Sequence, residues 1–245
     1  MEGLVLQKID YGETDQIIRI FLKEGGQVSG IAKGIKRSKR RFPHKLEPFR
    51  IYNFRFRKKP SQRLYFIESA DQLRDFEPII RDIRKIAIGN FILELLLTAV
   101  KENSSHPELY AYVLSFFDIL GISENLLPLW LHGGLHVMAH LGFAPNFERC
   151  VKCHAPLRVK EVNHFSPRRG GIVCPRCSPA SHFLPVSPQT LRILQFLIHS
   201  PLQTVTRIIL PSHARKEIES FLVPFLTYHL ERPLLTLPLL QESLE

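Results

Sequence analysis

Four cysteines have the spacing most typical of a chemical site in this 245-residue chain. They form two Cys-x-x-Cys pairs, Cys150 with Cys153 and Cys174 with Cys177, which twenty residues separate. Each pair can place two thiolates on one metal ion, and the intervening loop can bring the pairs together in a tetrahedron. Four thiolate ligands leave no open coordination position, so the pattern predicts one structural zinc ion. A redox dithiol and buried unpaired thiols are the alternatives.

The second chemical signal is a cluster of positive charge between residues 31 and 63. Thirteen Lys and Arg residues stand there against the single acid Glu47, which gives +12 in a chain whose net charge is +10. Such a cluster attracts a polyanion, and the aromatic rings within it and just after it can stack on bases. We call residues 31–66, which contain the cluster and these rings, the basic segment. A solvated basic face over core aromatics is the alternative, and for any single aromatic it is the favoured one. The predicted DNA-binding residues are Lys33, Lys36, Arg37, Lys39, Arg40, Arg41, Arg55 and Arg57.

The dense cations between residues 36 and 41 have only Glu47 as an acidic neighbour in the sequence. We therefore expect them to lack acidic partners within the protein. Their charge would then be neutralised by counterions or by phosphate groups.

Three histidines, His132, His136 and His140, follow one another at four-residue spacing. Two histidines four apart can bind zinc in His-Glu-x-x-His enzymes, but Gly133 and Gly134 stand where that motif has its Glu. We interpret the three as a packing face of a helix. The sequence also lacks a phosphate-binding loop, a dinucleotide fingerprint and a nucleophile elbow, so the protein is not predicted to be an enzyme.

The elements that must position these residues form an α+β fold. Apolar alternation predicts five strands, at residues 4–9, 17–22, 28–32, 49–57 and 64–70, with a bulge near 51–53. Five curved antiparallel strands in about 70 residues are the size of an OB-fold barrel. A period of 3.6 then predicts helices over residues 78–100, 108–120, 125–141, 187–198 and 211–229. The closing apolar segment is expected to pack along the helices or to serve as a docking segment.

Composition places the chain among ordinary globular proteins, with 44% hydrophobic and 23% charged residues. The first residues have no signal-peptide pattern, and no window approaches 18 apolar residues, so no membrane span is predicted. Four cysteines without an export signal favour a reducing compartment, where metal binding is commoner than disulfides. We expect a cytoplasmic, nucleoid-associated protein.

These motifs resemble the bacterial RecO family of DNA repair proteins over nearly the whole chain. The similarity includes residues 11–15 (Tyr-Gly-Glu-Thr-Asp), residues 32–34 (Ala-Lys-Gly) before the basic loop, and the segments that precede each cysteine pair. The chain departs from the family pattern at His154, where glycine is expected, and at Ile35, where a small residue is usual.

The resemblance implies a recombination mediator, with an N-terminal OB-fold domain (1–77), a helical domain (78–147 with 184–245) and a zinc-binding insertion (148–183). It implies binding to single- and double-stranded DNA, annealing of complementary strands, and cooperation with RecR in loading RecA. It also implies binding to the acidic C-terminal tail of single-strand-binding protein. Candidate cations for that tail are Arg81, Arg84, Lys85 and Arg215.

The residues alone leave two other functions open. A zinc-containing OB-fold factor that binds RNA shares every feature above. A zinc enzyme that modifies RNA or DNA would need a histidine or cysteine at an open metal position.

Overall fold

The computed structural model describes residues 1–38, 40–57, 64–158, 160–178 and 184–244. The chain forms two compact units, Met1–Ile122 with Thr236–Glu245, and Ser123–Leu235. The domain boundaries predicted from the sequence stay a prediction. Within the described ranges, no helix has the length and apolar character needed to cross a membrane.

The first unit contains a closed five-stranded barrel with neighbours in the order β1-β2-β3-β5-β4. Its strands are β1 (Glu2–Tyr11), β2 (Asp15–Leu22), β3 (Gly26–Ala32), β4 (Arg50–Arg57) and β5 (Tyr65–Asp75). This barrel confirms the predicted OB-fold. The expectation of antiparallel pairing throughout is wrong at one place, because β3 and β5 are parallel. An odd number of strands cannot close into a ring with every neighbour antiparallel.

The apolar alternation of the sequence builds the barrel interior. Ile18, Ile20 and Leu22 of β2 are at most 2% exposed and pack with apolar residues of the other strands. The register between β4 and β5 shifts between Ile51 and Tyr52, as the predicted bulge requires. At the parallel pair, a Cβ atom on Gly30 would lie 2.7 Å from the Ile67 side chain, so β3 can approach β5 only with glycine there.

Helices and a small sheet make up the rest of the described chain. In chain order they are α1 (Glu77–Ile80), α2 (Ile83–Ala99), α3 (Pro107–Ile122), α4 (Leu126–His140), β6 (Asn163–Ser166), β7 (Gly171–Val173), β8 (Leu184–Val186), α5 (Pro188–His199), α6 (Leu202–Val205), α7 (Ser212–Leu230) and α8 (Leu237–Ser243). The helix predicted over residues 78–100 is two helices, because Asp82 is extended and its carboxylate caps α2 by accepting a hydrogen bond from the Arg84 N–H.

The closing segment of the chain packs on α2 in the first unit, as expected for its apolar residues. Glu94 of α2 is 8% exposed. Its carboxylate accepts hydrogen bonds from the backbone N–H of Thr236 at 2.9 Å and from the Thr236 hydroxyl at 2.7 Å. The C-terminal helix α8 is thereby fixed at its first residue.

In the second unit, the sheet β7-β6-β8 packs on α7. Phe165 of β6 stacks on Phe221 at a centroid distance of 4.4 Å and meets Phe225 edge-on at 5.9 Å. The imidazole of His229 lies 3.1 Å from the Pro167 carbonyl at the turn between β6 and β7. The packing of Phe165 on α7 and the His229 contact together anchor the segment that carries the cysteines.

Candidate metal centre and nucleic-acid interface

The four cysteine sulfur atoms converge within 4.8 Å of one another, as the two Cys-x-x-Cys pairs predicted. The sulfur atoms of Cys153 and Cys174 are 3.8 Å apart. A tetrahedral zinc ion with bonds of about 2.3 Å would place its sulfur ligands about 3.8 Å apart. Cys150 is buried while the other three are reached by solvent. The donor set and its geometry fit a four-coordinate metal ion.

The two cysteine pairs meet because the chain before the first pair runs beside β7. The N–H of Asn146 donates to the Gly170 carbonyl, and the Asn146 carbonyl accepts from the Ile172 N–H, both at 2.9 Å. A Cβ atom on Gly171 would lie 2.7 Å from the Asn146 oxygen. Gly170 has a φ of +61°. The two glycines thus permit the close approach that brings both pairs to one point.

Each pair forms a tight turn whose backbone donors face the cluster. The N–H groups of Lys152 and Cys174 both lie 3.4 Å from the Cys150 sulfur. Burial raises the pKa of the Cys150 thiol, but hydrogen bonds from the backbone of Cys174, Cys153 and Lys152 outweigh it and bring the pKa to about 6. Hydrogen bonds with the sulfur atoms of Cys153 and Cys174 raise the pKa of Cys177 to about 12. A bound cation would favour ionisation of the Cys177 thiol, because thiolates are the form in which cysteines bind metal ions.

His154 occupies a backbone conformation that favours glycine. Its φ is +58°, in the left-handed region, and its N–H donates to the Cys150 carbonyl at 2.8 Å. The departure noted in the sequence therefore falls at the residue that closes the first cysteine turn.

The basic loop, residues 33–45, is anchored to the barrel by apolar side chains. Ile35 and Phe42 are 0% and 1% exposed and belong to the barrel core, as does Leu46 just after the loop. Ile35, the second departure from the family pattern, is therefore an anchor that fixes the start of the loop. Lys39 lies outside the described residues.

The turn between β1 and β2 holds the start of the basic loop in place. The carboxylate of Asp15 accepts a hydrogen bond from the Gly34 N–H at 2.8 Å. The Thr14 carbonyl accepts from the Lys36 N–H at 3.1 Å. The hydrogen bonds from Gly34 and then from the Thr14 hydroxyl lower the pKa of Asp15. These contacts give a physical role to the Tyr-Gly-Glu-Thr-Asp segment, which the sequence marked only by resemblance.

The cations predicted to bind DNA differ in their partners. The expectation that the loop cations lack acidic partners is wrong for Lys36, which pairs with Asp10 at 3.1 Å. Glu47, the only acid near the loop in sequence, pairs instead with Lys8. The strand β1 supplies both of these partners, and sequence distance from the loop hides such contacts.

The two predicted arginines on β4 also have acidic partners. Arg55 lies 3.6 Å from Asp71 and Arg57 lies 3.2 Å from Glu68, both on the neighbouring strand β5. These cross-strand pairs form between exposed side chains.

The described arginines of the basic loop differ from Lys36, Arg55 and Arg57 in their lack of acidic partners. Arg37, Arg40 and Arg41 are exposed, and none of them has an ion pair with an acid in the part of the chain that the structure describes. The Arg41 guanidinium donates to the Lys33 carbonyl at 2.9 Å and lies 5.1 Å from the centre of the Phe42 ring. The basic loop, which is anchored to the barrel, therefore presents several exposed guanidinium groups that have no ion pair with an acidic side chain among the described residues.

Most aromatic residues of the basic segment belong to the core, in agreement with the alternative favoured for any single aromatic. Phe42, Phe49, Tyr52 and Phe54 are at most 6% exposed. Phe56 and Tyr65 pack at the edge of the barrel core. Phe66 differs from all of these, because its half-buried ring is flanked by two cations.

Of the three histidines of α4, His132 and His136 form the expected packing face, whereas His140 at the end of the helix is exposed. The rings of His132 and His136 stack at 3.9 Å, and their Nε2 atoms face the carbonyls of Ser200 and Leu197. Burial and the neighbouring His136 lower the pKa of His132 to about 4. Among the described residues, the cysteines alone form a cluster that could hold a metal ion.

The four cations suggested for a tail peptide all have partners. Arg81, Arg84 and Arg215 pair with acids on their own segments, and the Lys85 ammonium donates to the Gly121 carbonyl at the end of α3.

Sequence reasoning missed an apolar groove in the second unit. The groove has a volume of about 280 Å³ and is lined by Gln189, Arg192, Ile193, Phe196 and Ile208. Arg192 and Phe196 are four residues apart on α5 and share one helix face. The Phe196 side chain is 43% exposed, and such an exposed aromatic residue indicates the groove. The spacing of apolar residues in the sequence does not show which of them stay exposed.

The fold and the site define a class: an OB-fold barrel protein with a four-cysteine centre in a second, helical unit. The family models described as Recombination protein O N terminal and Recombination protein O C terminal match residues 1–76 and 80–238. The chain belongs to the recombination protein O (RecO) family of DNA repair proteins, as its sequence motifs predicted.

Similar proteins in several bacteria carry the name DNA repair protein RecO. The one from Anaeromyxobacter sp. (strain Fw109-5) is 32% identical over 238 residues, which cover 96% of this chain and 92% of that relative. The one from Syntrophus aciditrophicus is 27% identical over 247 residues, with 98% and 94% covered. The one from Synechococcus sp. (strain JA-2-3B'a(2-13)) is 30% identical over 251 residues, with 97% and 87% covered.

Proposed function

We propose that this protein is a recombination mediator that binds single- and double-stranded DNA and anneals complementary strands. The observation that carries the proposal is the group of exposed arginines, Arg37, Arg40 and Arg41, on a loop anchored to an OB-fold barrel. Membership of the RecO family supports it.

The proposed DNA contacts are Lys33, Lys36, Arg37, Lys39, Arg40, Arg41, Arg55 and Arg57. A cation that neutralises a DNA phosphate displaces counterions condensed on the DNA, and the release of these ions favours binding. Anchoring by Ile35 and by the Asp15 hydrogen bond holds the loop before DNA arrives, which lowers the entropic cost of binding. Lys36, Arg55 and Arg57 must also exchange an acidic partner for phosphate, so we expect them to contribute less.

The test is a double substitution of Arg37 and Arg40 by Ala. On single-stranded DNA, loss of two phosphate contacts should flatten the slope of log K against log salt by about 1.4, at about 0.7 per contact. Binding should weaken alike for all sequences. A matched control, Lys101→Ala with Arg207→Ala, removes the same charge from exposed positions outside the barrel and should leave the slope unchanged. Wild-type affinity and slope in the Arg37/Arg40 variant would falsify the loop as the DNA site.

An OB-fold factor that binds RNA is the competing function. Competition between single-stranded DNA and RNA of the same sequence at fixed salt separates the two. Preference for RNA would move the proposal to an RNA-binding role.

We propose that the four cysteines hold one zinc ion with a structural role. The fit of the four sulfur atoms to a tetrahedron supports this, and four thiolate ligands leave no position for a substrate, so we propose no catalytic activity. Cys174→Ser should abolish stoichiometric zinc and lower the melting temperature, because metal binding and folding of the lobe are coupled. A metal-free native protein that is equally stable would contradict the zinc site.

We further propose that the protein acts with RecR and single-strand-binding protein to help load RecA. The apolar groove of the second unit is the proposed site for the C-terminal tail of single-strand-binding protein. An apolar anchor of the tail would contact Phe196 and Ile208, while a carboxylate would pair with Arg192.

A labelled tail peptide tests the groove. Arg192→Ala should weaken binding by roughly tenfold or more, since hydrogen bonds to charged groups contribute about 1.5–3 kcal/mol. Arg168→Ala, which removes an exposed arginine at the turn between β6 and β7, is the matched control. Equal affinity in both variants would exclude Arg192 as the carboxylate partner.

A further inference from the structure

Phe66 is the aromatic residue of the basic segment whose surroundings are least like a core. Its ring is half-buried, and it is absent from the apolar cluster that fills the barrel and from the rings packed at its edge. Its neighbours in β5 differ from it, because Tyr65 packs against the core and Ile67 is buried within it. Strand alternation therefore turns Phe66 to the outer surface of the barrel.

Two cations flank this ring. The Lys33 ammonium lies 5.2 Å from the ring centre and the Arg57 guanidinium lies 5.7 Å from it. The register shift between Arg55 and Phe56 brings Arg57 directly opposite Phe66 across the β4–β5 pair. Lys33 is the first residue of the basic loop, so the ring lies at the base of that loop.

We propose that Phe66 is a base-stacking residue that makes the barrel prefer single-stranded over double-stranded DNA. This inference rests on the proposed function, because it assigns the base contact beside the proposed phosphate contacts. Bases stack on aromatic rings regardless of sequence, and basic residues next to such a ring hold the backbone of the same strand. In a duplex the base faces are already covered, so the ring can add affinity only for an unpaired strand.

The two cations near the ring fit this role. An arriving base replaces the contact of one cation with the ring, and that cation then turns to the adjacent phosphate group. Lys33 has no ion pair with an acid in the described part of the chain and is the one free to do so. Arg57 is paired with Glu68 at 3.2 Å, so it leaves its place over the ring less readily than Lys33 does.

The test compares Phe66→Ala and Phe66→Leu with the wild-type protein on single- and double-stranded DNA of one sequence. Loss of one stacked base should weaken single-strand binding about tenfold. Duplex binding should change little, and the salt slope should stay as in the wild type, because no phosphate contact is lost. Leucine keeps apolar volume beneath the two cations but cannot stack, so it should behave like alanine.

A third variant, Phe66→Trp, keeps a stacking ring and reports on it directly. The chain has one tryptophan, Trp130, which is 0% exposed, so its emission supplies a constant background. Fluorescence of the new tryptophan should be quenched by single-stranded DNA and much less by duplex. This variant also answers the question if the alanine variant does not fold.

Three results would overturn the assignment. Equal losses on single strands and duplex with a flattened slope would mean that the ring only positions Lys33 and Arg57. Unchanged affinity in the alanine and leucine variants, or a tryptophan variant that single strands do not quench, would mean that no base contacts the ring. In each case the Arg37/Arg40 variant still decides separately whether the loop binds DNA.

Discussion

Replacing His154 by glycine should strengthen zinc binding by the four-cysteine lobe. His154 has a φ of +58° and closes the first cysteine turn through its N–H bond to the Cys150 carbonyl. A residue with a Cβ atom is strained in this conformation, whereas glycine adopts it freely. The His154 side chain is exposed, and none of the described residues hydrogen-bonds to it.

The size of the effect follows from two opposing contributions. The left-handed conformation costs an L-residue about 1–2 kcal/mol. Glycine at the same position loses more backbone entropy on folding, which offsets about 0.5–1 kcal/mol of that gain. A net gain of about 0.5–1 kcal/mol remains. Because folding of the lobe is coupled to metal binding, zinc affinity should rise about two- to fivefold.

Competition with a chromophoric chelator measures the zinc affinity, and His154→Ala supplies the control. Alanine removes the imidazole as glycine does but keeps the Cβ atom, so the difference between the two variants isolates the backbone contribution. Equal zinc affinity in the alanine and glycine variants would refute the strain argument. A large loss of zinc in both would instead show that the imidazole itself contributes to the site.

Three further perturbations probe the rest of the fold. Thr236→Val removes the hydroxyl donor to the buried Glu94 carboxylate and should lower stability by about 1.5–3 kcal/mol in thermal unfolding. Asp15→Ala should speed tryptic cleavage after Arg37 because the loop loses its hydrogen bond at Gly34, whereas Asp15→Asn, which keeps an acceptor oxygen, should not. Burial lowers the pKa of His132 to about 4 against about 6.5 in an unfolded chain, so the unfolded state binds more protons between these values. Stability should fall by up to about 3 kcal/mol as pH drops from 6.5 to 4, and His132→Gln should reduce that fall.

Sequence patterns predicted the elements whose cause is local. The alternation at Ile18, Ile20 and Leu22 identified a strand with one buried face, and the two Cys-x-x-Cys turns identified the four-cysteine cluster that could hold a metal ion. Even the bulge near Ile51 followed from a change of apolar parity within one strand. The strand and the bulge each have their whole signal within one segment. Each cysteine pair is also a local motif, although twenty residues separate the two pairs.

Contacts between distant segments could not be predicted in the same way. Lys36 pairs with Asp10, twenty-six positions earlier in the chain, and the pair exists only because the β1–β2 turn lies against the loop. The break at Asp82 depends on a side chain that caps α2 instead of continuing a helix. The parallel pairing of β3 with β5 follows from closure of the barrel, and the sequence of either strand alone contains no pattern that predicts it.

The division of cations into paired and open groups makes the salt dependence of DNA binding a measure of which residues take part. Lys33, Arg37, Arg40 and Arg41 have no ion pair with an acid in the described ranges, and Lys39, outside them, adds a fifth cation by sequence. Five contacts predict a slope of about −3.5 on single strands, whereas all eight proposed cations predict about −5.6. The released counterions come from the DNA phosphates, so each cation that reaches a phosphate adds about 0.7 to the slope whether or not it was paired with an acid before. A measured slope of about −5.6 would therefore mean that Lys36, Arg55 and Arg57 leave Asp10, Asp71 and Glu68 for phosphate groups, whereas a slope of about −3.5 would mean that they keep these acidic partners.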